Sequence, residues 1–550
     1  MIILEQESRE KIFPQRGNDD IMPLDMNRKT YFKISIESLY FVGLLLGALL
    51  LFGINLGGLP LRDWDEGTVG QVAREIWIFG DFQGLLFPTL EGKPYLNKPP
   101  LVHGLIALAY SCAGVNEWTT RLPSAILTAL SVPSLYALAR EIFPRPKSAF
   151  FSALVYLTSL PVVRHGRLAM LDGAVLCFAI LMFLCILRSR RDLRWSLGVG
   201  LSFSALCLTK GIMGLLLGAI ALLFLAWDTP RLLTSVYLWI GFIFGSIPVL
   251  FWYTAQWLHY GEVFIATGIF NQSLLRIWTP VEDNSGPPWY YLWELLKNFW
   301  YWLIFCLYGL KLAWFHRNWS WAKLIFVWSG VYLLAISLMT TKLPWYIMPI
   351  YPPLALAVGA TFTEVLHWPD RRSYPRIWSI WLMFLALSAM VGSIYFSFNQ
   401  ITDLSIVVIL GSISLTLAVV AVLIEQQDTQ FIAVMFWGMY VALLLFFLSP
   451  HWIWELNEAY PVKPVAAMIR LGTPTDQVIY TNFDFGRPSL NFYSQRQVIP
   501  ASLEEIKDHW KSPPVYLLLE REFLDQLRLE SVKILGTAPP NWVLIAKDRD

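Results

Sequence analysis

Two sets of charged side chains in this sequence have the types and spacing that group-transfer chemistry needs. Carboxylates stand at Asp65 and Glu66 in R-D-W-D-E-G-T, and at Asp172 in R-L-A-M-L-D. A positioned carboxylate accepts the proton of an attacking hydroxyl as a general base. Convergent cations hold a phosphate and stabilise the charge of a phosphate leaving group. The candidate cations, all in separate stretches, are Lys98, Arg164, Arg167, Lys210, Arg276 and Lys342.

The elements that position these residues are membrane spans. Of the 550 residues, 56% are hydrophobic and 15% are charged, and the mean hydropathy is +0.50. Soluble domains carry about 25% charged residues, so this composition excludes a soluble enzyme and predicts a polytopic α-helical membrane protein. The net charge of +2 gives no basic surface for nucleic acid, so we expect no nucleic-acid partner.

The apolar runs define the predicted organisation of the chain. Residues 1–36 form a polar N-terminal segment, 37–448 a transmembrane domain with a first outer loop at 60–121, and 449–550 a polar tail. A span needs about 20 apolar residues. Thirteen spans are predicted, at about 38–59, 122–141, 148–164, 173–188, 196–209, 211–227, 234–257, 289–310, 323–340, 344–363, 376–396, 404–424 and 431–448.

One short apolar segment, 99–114, decides the topology. If it does not span, most Lys and Arg of the short loops fall on the side of the N-terminus, as the positive-inside rule requires. If it does span, this bias reverses. We therefore expect 99–114 to lie at the outer surface, beside an amphipathic helix at 62–77. The N-terminus is then cytoplasmic and the tail extracytoplasmic, in an inner or plasma membrane.

The candidate charges gather at the outer ends of the predicted spans, whereas the span centres are nearly free of Asp and Glu. This pattern favours a reaction at the outer surface on a lipid-anchored substrate over transport. Structural interpretations stay open for these residues: Asp63 and Glu66 as a capping box, Asp172 as a helix cap, and the lysines as snorkelling side chains.

Seven motifs, in order, resemble glycosyltransferase family 39. They are D-E-G-T…A-R-E-I from Asp65, K-P-P-L at 98–101, R-L-P-S-A at 121–125, R-L-A-M-L-D at 167–172, L-T-K-G at 208–211, H-Y-G-E-V-F at 259–264 and K-L-P-W-Y-I-M-P at 342–349. That family includes polyprenyl-phosphate aminoarabinose transferases of lipid A and dolichyl-phosphate-mannose protein mannosyltransferases. The resemblance implies the GT-C membrane fold, with about 13 transmembrane helices and interfacial helices in the first outer loop.

The resemblance also implies roles for single residues. Asp65 matches the leading acid/base position, with Glu66 beside it, and Asp172 matches a second outer acidic position. Lys98 matches the lysine that holds the donor phosphate. The lipid A transferases often carry Glu before that lysine, where this chain has Asn97. Positions lining the donor site are matched by Arg276, Lys342 and Tyr346.

The implied activity is that of a polyprenyl-phosphate-sugar-dependent hexosyl or pentosyl transferase. The donor is a sugar on a polyprenyl phosphate, and the acceptor is a lipid, protein or glycan at the outer face. One displacement inverts the anomeric centre. Because the leaving group is a phosphate ester, no cofactor and no metal site is required, and a role for a divalent metal stays open. The alternatives are a polyprenyl-linked sugar flippase and a non-catalytic envelope binding protein.

The tail is predicted to form a small α/β domain. Strand-like runs stand at 478–481, 515–519 and 542–546, and 502–511 and 521–529 are helical in pattern. Its motif P-S-L-N-F-Y-S-Q-R, 488–496, resembles the outer domain of the lipid A-type branch. This domain either caps the outer cavity and selects the acceptor, or is a small packing domain.

Overall fold

A computed structural model describes residues 35–280, 284–368, 373–398, 403–454, 461–511 and 514–547. Most of the predicted N-terminal segment, 1–34, lies outside the described residues. The described chain is an α-helical bundle followed by a small sheet domain. Helix α1 is followed by α2, α3 and α4, and a two-stranded hairpin (β1, β2) separates α3 from α4. The bounds are α1 Ile36–Gly53, α2 Thr68–Phe79, α3 Phe82–Leu86, β1 Thr89–Leu90, β2 Lys93–Pro94 and α4 Leu101–Ala113.

The bundle continues through seventeen further helices, several of them joined by π or 3-10 turns. They are α5 Glu117–Ile142, α6 Pro146–Leu157, α7 Leu160–Arg167, α8 Asp172–Arg188, α9 Ser196–Lys210, α10 Ile212–Asp228, α11 Val236–Tyr260, α12 Glu262–Phe264, α13 Leu275–Trp278, α14 Tyr290–Asn298, α15 Trp300–Phe315, α16 Ser320–Ile325, α17 Tyr332–Leu338, α18 Tyr351–Val365, α19 Arg376–Ser397, α20 Leu404–Glu425 and α21 Phe431–Leu448.

Among the described residues, eight helical segments are long and apolar enough to cross a membrane, and the pair α6 and α7, bent by 59°, is a ninth if counted as one span. The other four predicted spans fall on shorter helices: α8 and α10 of 17 residues, α9 of 15 and α15 of 16. The helical segments follow the predicted apolar runs closely, but the number 13 stays a prediction.

The segment predicted as the first outer loop, 60–121, contains the three helices α2 to α4, the β1–β2 hairpin and a short π-helical turn, Asp63–Gly67. The predicted apolar face of 62–77 is buried through Val69, Val72, Ala73 and Ile76, whereas Trp77 is 40% exposed. The segment 99–114 forms α4, which at 13 residues is too short to span. Its helix ends at Gly114, where φ is +75°.

The tail folds as a five-stranded mixed sheet with four helices. The strand order is β4-β3-β5-β7-β6; β3 is parallel to β4 and β5, and β7 is antiparallel to β5 and β6. Three strands match the predicted runs, whereas β4 and β6 were not predicted. The bounds are α22 Val462–Gly472, β3 Val478–Thr481, α23 Pro488–Ser494, β4 Gln497–Pro500, α24 Leu503–Trp510, β5 Tyr516–Glu520, α25 Arg521–Leu527, β6 Val532–Ala538 and β7 Trp542–Lys547.

Helix α23, which carries the P-S-L-N-F-Y-S motif, attaches the sheet domain to the first outer loop. The Asp63 carboxylate accepts hydrogen bonds from Arg487 Nη1 at 2.8 Å and from Ser489 Oγ at 2.6 Å. Trp64 Nε1 donates to the Gly486 carbonyl at 3.0 Å. A Cβ on Gly67 would lie 2.6 Å from the Ser489 nitrogen, so this close approach requires glycine. The tail is therefore packed against the turn that carries Asp65.

Candidate active site

A cavity of about 350 Å³ brings four of the seven predicted donor-binding residues together. Its polar lining includes Lys98, Lys210, Arg276 and Tyr346, which come from the first outer loop, α9, α13 and the turn before α18. Apolar side chains complete its wall: Leu96, Ile212, Met213, Leu216, Trp252, Phe264, Ile277, Ala335, Ile336, Leu338 and Met339. The cavity thus combines a cluster of cations with a largely apolar wall.

Lys98 is half-buried in this cavity, and its ammonium makes no hydrogen bond or ion pair with any described residue. Burial, together with the nearby charges of Arg276 and Lys210, lowers the pKa of Lys98 to about 7, and Asp172 acts in the opposite direction. An unpaired ammonium beside two other cations is unfavourable, so this arrangement is suited to an anion.

Lys210 and Arg276, the other two cations of the cavity, are hydrogen-bonded to neighbouring side chains. Lys210 Nζ donates to Asp172 Oδ1 at 2.7 Å and lies 5.6 Å from the centre of the Tyr346 ring. Arg276 donates to the Tyr346 hydroxyl at 3.1 Å and to Gln272 Oε1 at 2.7 Å, while its Nε has no partner among the described residues. Asp172, at the start of α8, is 4% exposed and is therefore a buried partner of the cavity's cations.

Glu66 lies outside the cavity in a closed ion pair. Its two oxygens accept from Arg121 Nε at 2.8 Å and Nη2 at 2.7 Å, and also from the backbone nitrogens of Ala169 at 2.7 Å and Arg62 at 3.0 Å. Burial raises the pKa of this carboxyl, but Arg121 and the two backbone N–H groups outweigh it and hold the pKa below its usual range. The capping box that the sequence left open does not form, because Asp63 bonds to Arg487 and Ser489 and Glu66 bonds to the groups named above. Glu66 is fully buried and accepts from four donors, and its predicted catalytic role stays a prediction.

Asp65 stands beside that pair with its side chain 30% exposed. Arg62 Nη2 lies 3.0 Å from Asp65 Oδ2. The same guanidinium reaches Met170 Sδ at 3.9 Å, and Ala169 is bonded to Glu66, so the Asp65 turn and the segment preceding Asp172 lie against each other. The two candidate carboxylates therefore come from the same end of the bundle.

Three predicted cations do not line the cavity. Arg164 donates from Nε to the Trp452 carbonyl at 3.0 Å and stacks on Trp454, 3.3 Å from its ring centre. Arg167, fully buried, donates to the carbonyls of Leu51 and Ile54 at the end of α1. Both cations donate to backbone carbonyls, and their predicted role at the phosphate stays a prediction.

Lys342 is also hydrogen-bonded to backbone carbonyls. Its ammonium donates to the Ile336 carbonyl at 3.1 Å and the Ser337 carbonyl at 2.7 Å, at the end of α17, and is 3% exposed. Its neighbour Ile336 lines the cavity, so Lys342 fixes part of the wall without lining the cavity itself. Lysine commonly bonds the last carbonyls of a helix in this way.

Two positioning residues were missed by sequence reasoning. Arg121 is the first residue of the R-L-P-S-A motif, which supported the family resemblance but suggested no role for this residue. Its guanidinium also donates to the Leu56, Leu59 and Pro60 carbonyls. Gln272, which holds Arg276, carried no signal in the sequence. Across the described residues, no three His, Cys, Asp or Glu side chains come together as metal ligands.

The chain is similar in sequence to several known proteins. The family described as dolichyl-phosphate-mannose-protein mannosyltransferase matches residues 97–253. The undecaprenyl phosphate-alpha-4-amino-4-deoxy-L-arabinose arabinosyl transferase 1 of Pseudomonas fluorescens (strain Pf-5) is 29% identical over 311 residues, 55% of this chain and 56% of the relative. An uncharacterized protein of Aquifex aeolicus is 24% identical over 492 residues, 88% of this chain and 91% of the relative.

A solved structure gives the fold. The crystal structure of ArnT from Cupriavidus metallidurans bound to undecaprenyl phosphate matches with a TM-score of 0.76 at 19% identity, and covers 93% of this chain and 100% of that one. The protein is therefore a multi-pass membrane protein of the GT-C fold with a small C-terminal sheet domain, as predicted. The resemblance to glycosyltransferase family 39, and to its aminoarabinose and mannose transferases, is confirmed. The chain spans 56% and 64% of the length of two of these curated arabinosyl transferases.

Proposed function

We propose that this protein is a glycosyltransferase that moves a sugar from a polyprenyl phosphate to an acceptor hydroxyl. The observation that carries the proposal is the cavity that brings Lys98, Lys210 and Arg276 together within an otherwise largely apolar wall. A polyprenyl phosphate combines an anionic head with a hydrocarbon chain. The named substrates of the Pseudomonas relatives and of ArnT support this donor class.

The charge of the cavity favours the leaving group over the donor. Three cations and one carboxylate, Asp172, leave a net charge of +2 when Lys98 is protonated. A sugar–phosphate diester carries one negative charge, whereas the departing polyprenyl phosphate carries close to two. Cations placed where charge develops stabilise the transition state more than the ground state. The cavity itself thereby assists cleavage of the sugar–phosphate bond.

Asp65 is the proposed proton acceptor. The acceptor oxygen forms a bond to the anomeric carbon, the bond from that carbon to the phosphate oxygen breaks, and its electron pair leaves with the phosphate. The acceptor proton passes to Asp65, whose side chain is 30% exposed and open to an incoming hydroxyl. Asp172 is 5% exposed in its side chain and acts by fixing Lys210. A single displacement of this kind inverts the anomeric centre.

The proposed sugar and carrier lipid are taken from the name of a relative. We propose an aminopentose on undecaprenyl phosphate as the first donor to test, because the P. fluorescens relative is named for that reaction. We place the cavity, the first outer loop and the sheet domain on the extracytoplasmic side, as the charge bias of the loops indicates.

The experiment uses the full chain reconstituted in liposomes. Undecaprenyl phosphate carrying a radiolabelled 4-amino-4-deoxyarabinose is added together with an extract of envelope lipids and glycans, and transfer of label to the extract is measured. Label should move with wild-type protein and be lost with Lys98→Met, while Lys533→Met, on the exposed part of β6, should behave as wild type. Equal transfer by wild type and Lys98→Met would overturn the proposal.

A further inference from the structure

Helix α23 of the sheet domain also contacts the tip of the β1–β2 hairpin. Asn491, which is 1% exposed, donates from Nδ2 to the Glu91 carboxylate, and its Oδ1 accepts from the Val498 nitrogen at 3.0 Å. Gln497 Nε2 donates to the Glu91 carbonyl at 3.1 Å. A buried amide that uses both its donor and its acceptor is held in one orientation. The hairpin tip is therefore bonded to the sheet domain through both its side chain and its backbone.

The hairpin itself is fixed by a carboxylate of α2. Glu75 accepts hydrogen bonds from Thr89 Oγ1 at 2.5 Å, from the Glu91 nitrogen at 2.7 Å and from the Gly92 nitrogen at 3.3 Å. Glu91 and Gly92, with φ of +58° and +74°, are the two turn residues between the paired strands. A two-residue turn of this kind fixes the register of both strands. A shift of Glu91 is therefore passed on to β2, which follows the turn.

Strand β2 leads directly to Lys98. The Tyr95 nitrogen donates to the Pro88 carbonyl at 2.8 Å, and Lys98 follows three residues later. Within the described part of the chain, the Lys98 ammonium has no hydrogen-bond or ion-pair partner that would fix it. Its place in the cavity therefore depends on the backbone that leads to it, and the hairpin holds the start of that backbone.

We propose that Asn491 is a positioning residue: through Glu91 and the hairpin, it holds the Lys98 backbone where the ammonium meets the phosphate. The inference rests on the proposed function. The start of the same helix bonds Asp63, two residues before Asp65. A single helix of the sheet domain thereby sets the phosphate-binding lysine relative to the proposed proton acceptor. In such an arrangement, a displacement of about 1 Å is enough to lower the rate about 10²-fold.

Undecaprenyl phosphate binding to the full chain in nanodiscs tests this role. Glu91→Ala removes the bond from the hairpin side and should weaken binding about fivefold, the effect of one lost hydrogen bond. Asn491→Ala removes the other end of that bond and should weaken binding to the same extent. Glu91→Gln keeps an acceptor oxygen for Asn491 and should bind as wild type. Glu504→Ala, at an exposed position of α24, is the matched control and should also bind as wild type.

A Lys98→Met background separates positioning from a merely structural effect. If Asn491 acts through Lys98, Glu91→Ala should weaken binding in the wild-type chain and have no further effect in Lys98→Met. A loss confined to chains that carry Lys98 supports the positioning role. Wild-type binding by Glu91→Ala, or an equal loss with and without Lys98, overturns the positioning role and leaves the donor cavity standing. If the wild-type chain itself does not bind undecaprenyl phosphate, the proposed function fails and the inference fails with it.

Discussion

Arg121 and Glu66 form a bidentate ion pair in which Nε and Nη2 lie 2.8 and 2.7 Å from the two carboxylate oxygens, and both side chains are fully buried. The pair links α5 to the turn that carries Asp65, and the Ala169 nitrogen adds the segment before Asp172. One buried pair therefore fixes both candidate carboxylates relative to each other.

Removing this pair should destabilise the protein. Glu66→Ala leaves the Arg121 charge buried without its partner, which costs about 3–5 kcal/mol. We expect a clear fall in the thermal unfolding midpoint in detergent. Asp508→Asn, which breaks an exposed pair with Lys511, is the control and should leave the midpoint unchanged. An unchanged midpoint in Glu66→Ala would contradict the anchoring role.

Lys98 should make the binding of undecaprenyl phosphate, the leaving group, depend on pH. Because its pKa is lowered to about 7, the ammonium is present below that pH and is lost as the pH rises through it. Polyprenyl phosphate is close to doubly charged above about pH 7, so affinity should fall between pH 7 and 9. Lys98→Arg stays charged and should flatten the profile. A slope equal to wild type in Lys98→Arg would assign the pH dependence to another group.

Substitutions of Asp65 and of Asp172 should affect kcat and the donor KM differently. Asp65→Asn removes the proposed base and should lower kcat by about 10²–10⁴ with little change in the donor KM. Asp172→Ala removes the oxygen to which Lys210 donates at 2.7 Å and should raise the donor KM more than it lowers kcat. Steady-state kinetics in liposomes separate the two effects. The reverse pattern would exchange the roles of Asp65 and Asp172.

Tyr346 should act through its hydroxyl. Tyr346→Phe keeps the ring near Lys210 but removes the acceptor that Arg276 reaches at 3.1 Å. Loss of about 1 kcal/mol corresponds to about fivefold weaker undecaprenyl phosphate binding, measurable by titration. Tyr395→Phe, at an exposed position of α19, is the matched control. Equal binding by both variants would show that Arg276 does not need Tyr346.

Apolar runs and loop charges were enough to predict most helices, because the bilayer imposes the same length and polarity on every span. They were not enough to count the spans, since α8 to α10 and α15 are short helices. The charges of Arg164 and Arg167 were visible in the sequence, but their carbonyl partners at Trp452, Leu51 and Ile54 come from distant segments that only the fold brings close. Sequence shows which groups carry charge and not which partners satisfy them.

The net charge of +2 in the cavity has a consequence for turnover. A pocket that favours the doubly charged leaving group also retains it after the reaction, so the spent carrier lipid should be a competitive inhibitor. On the proposed function, sustained turnover should therefore require another enzyme that consumes this lipid.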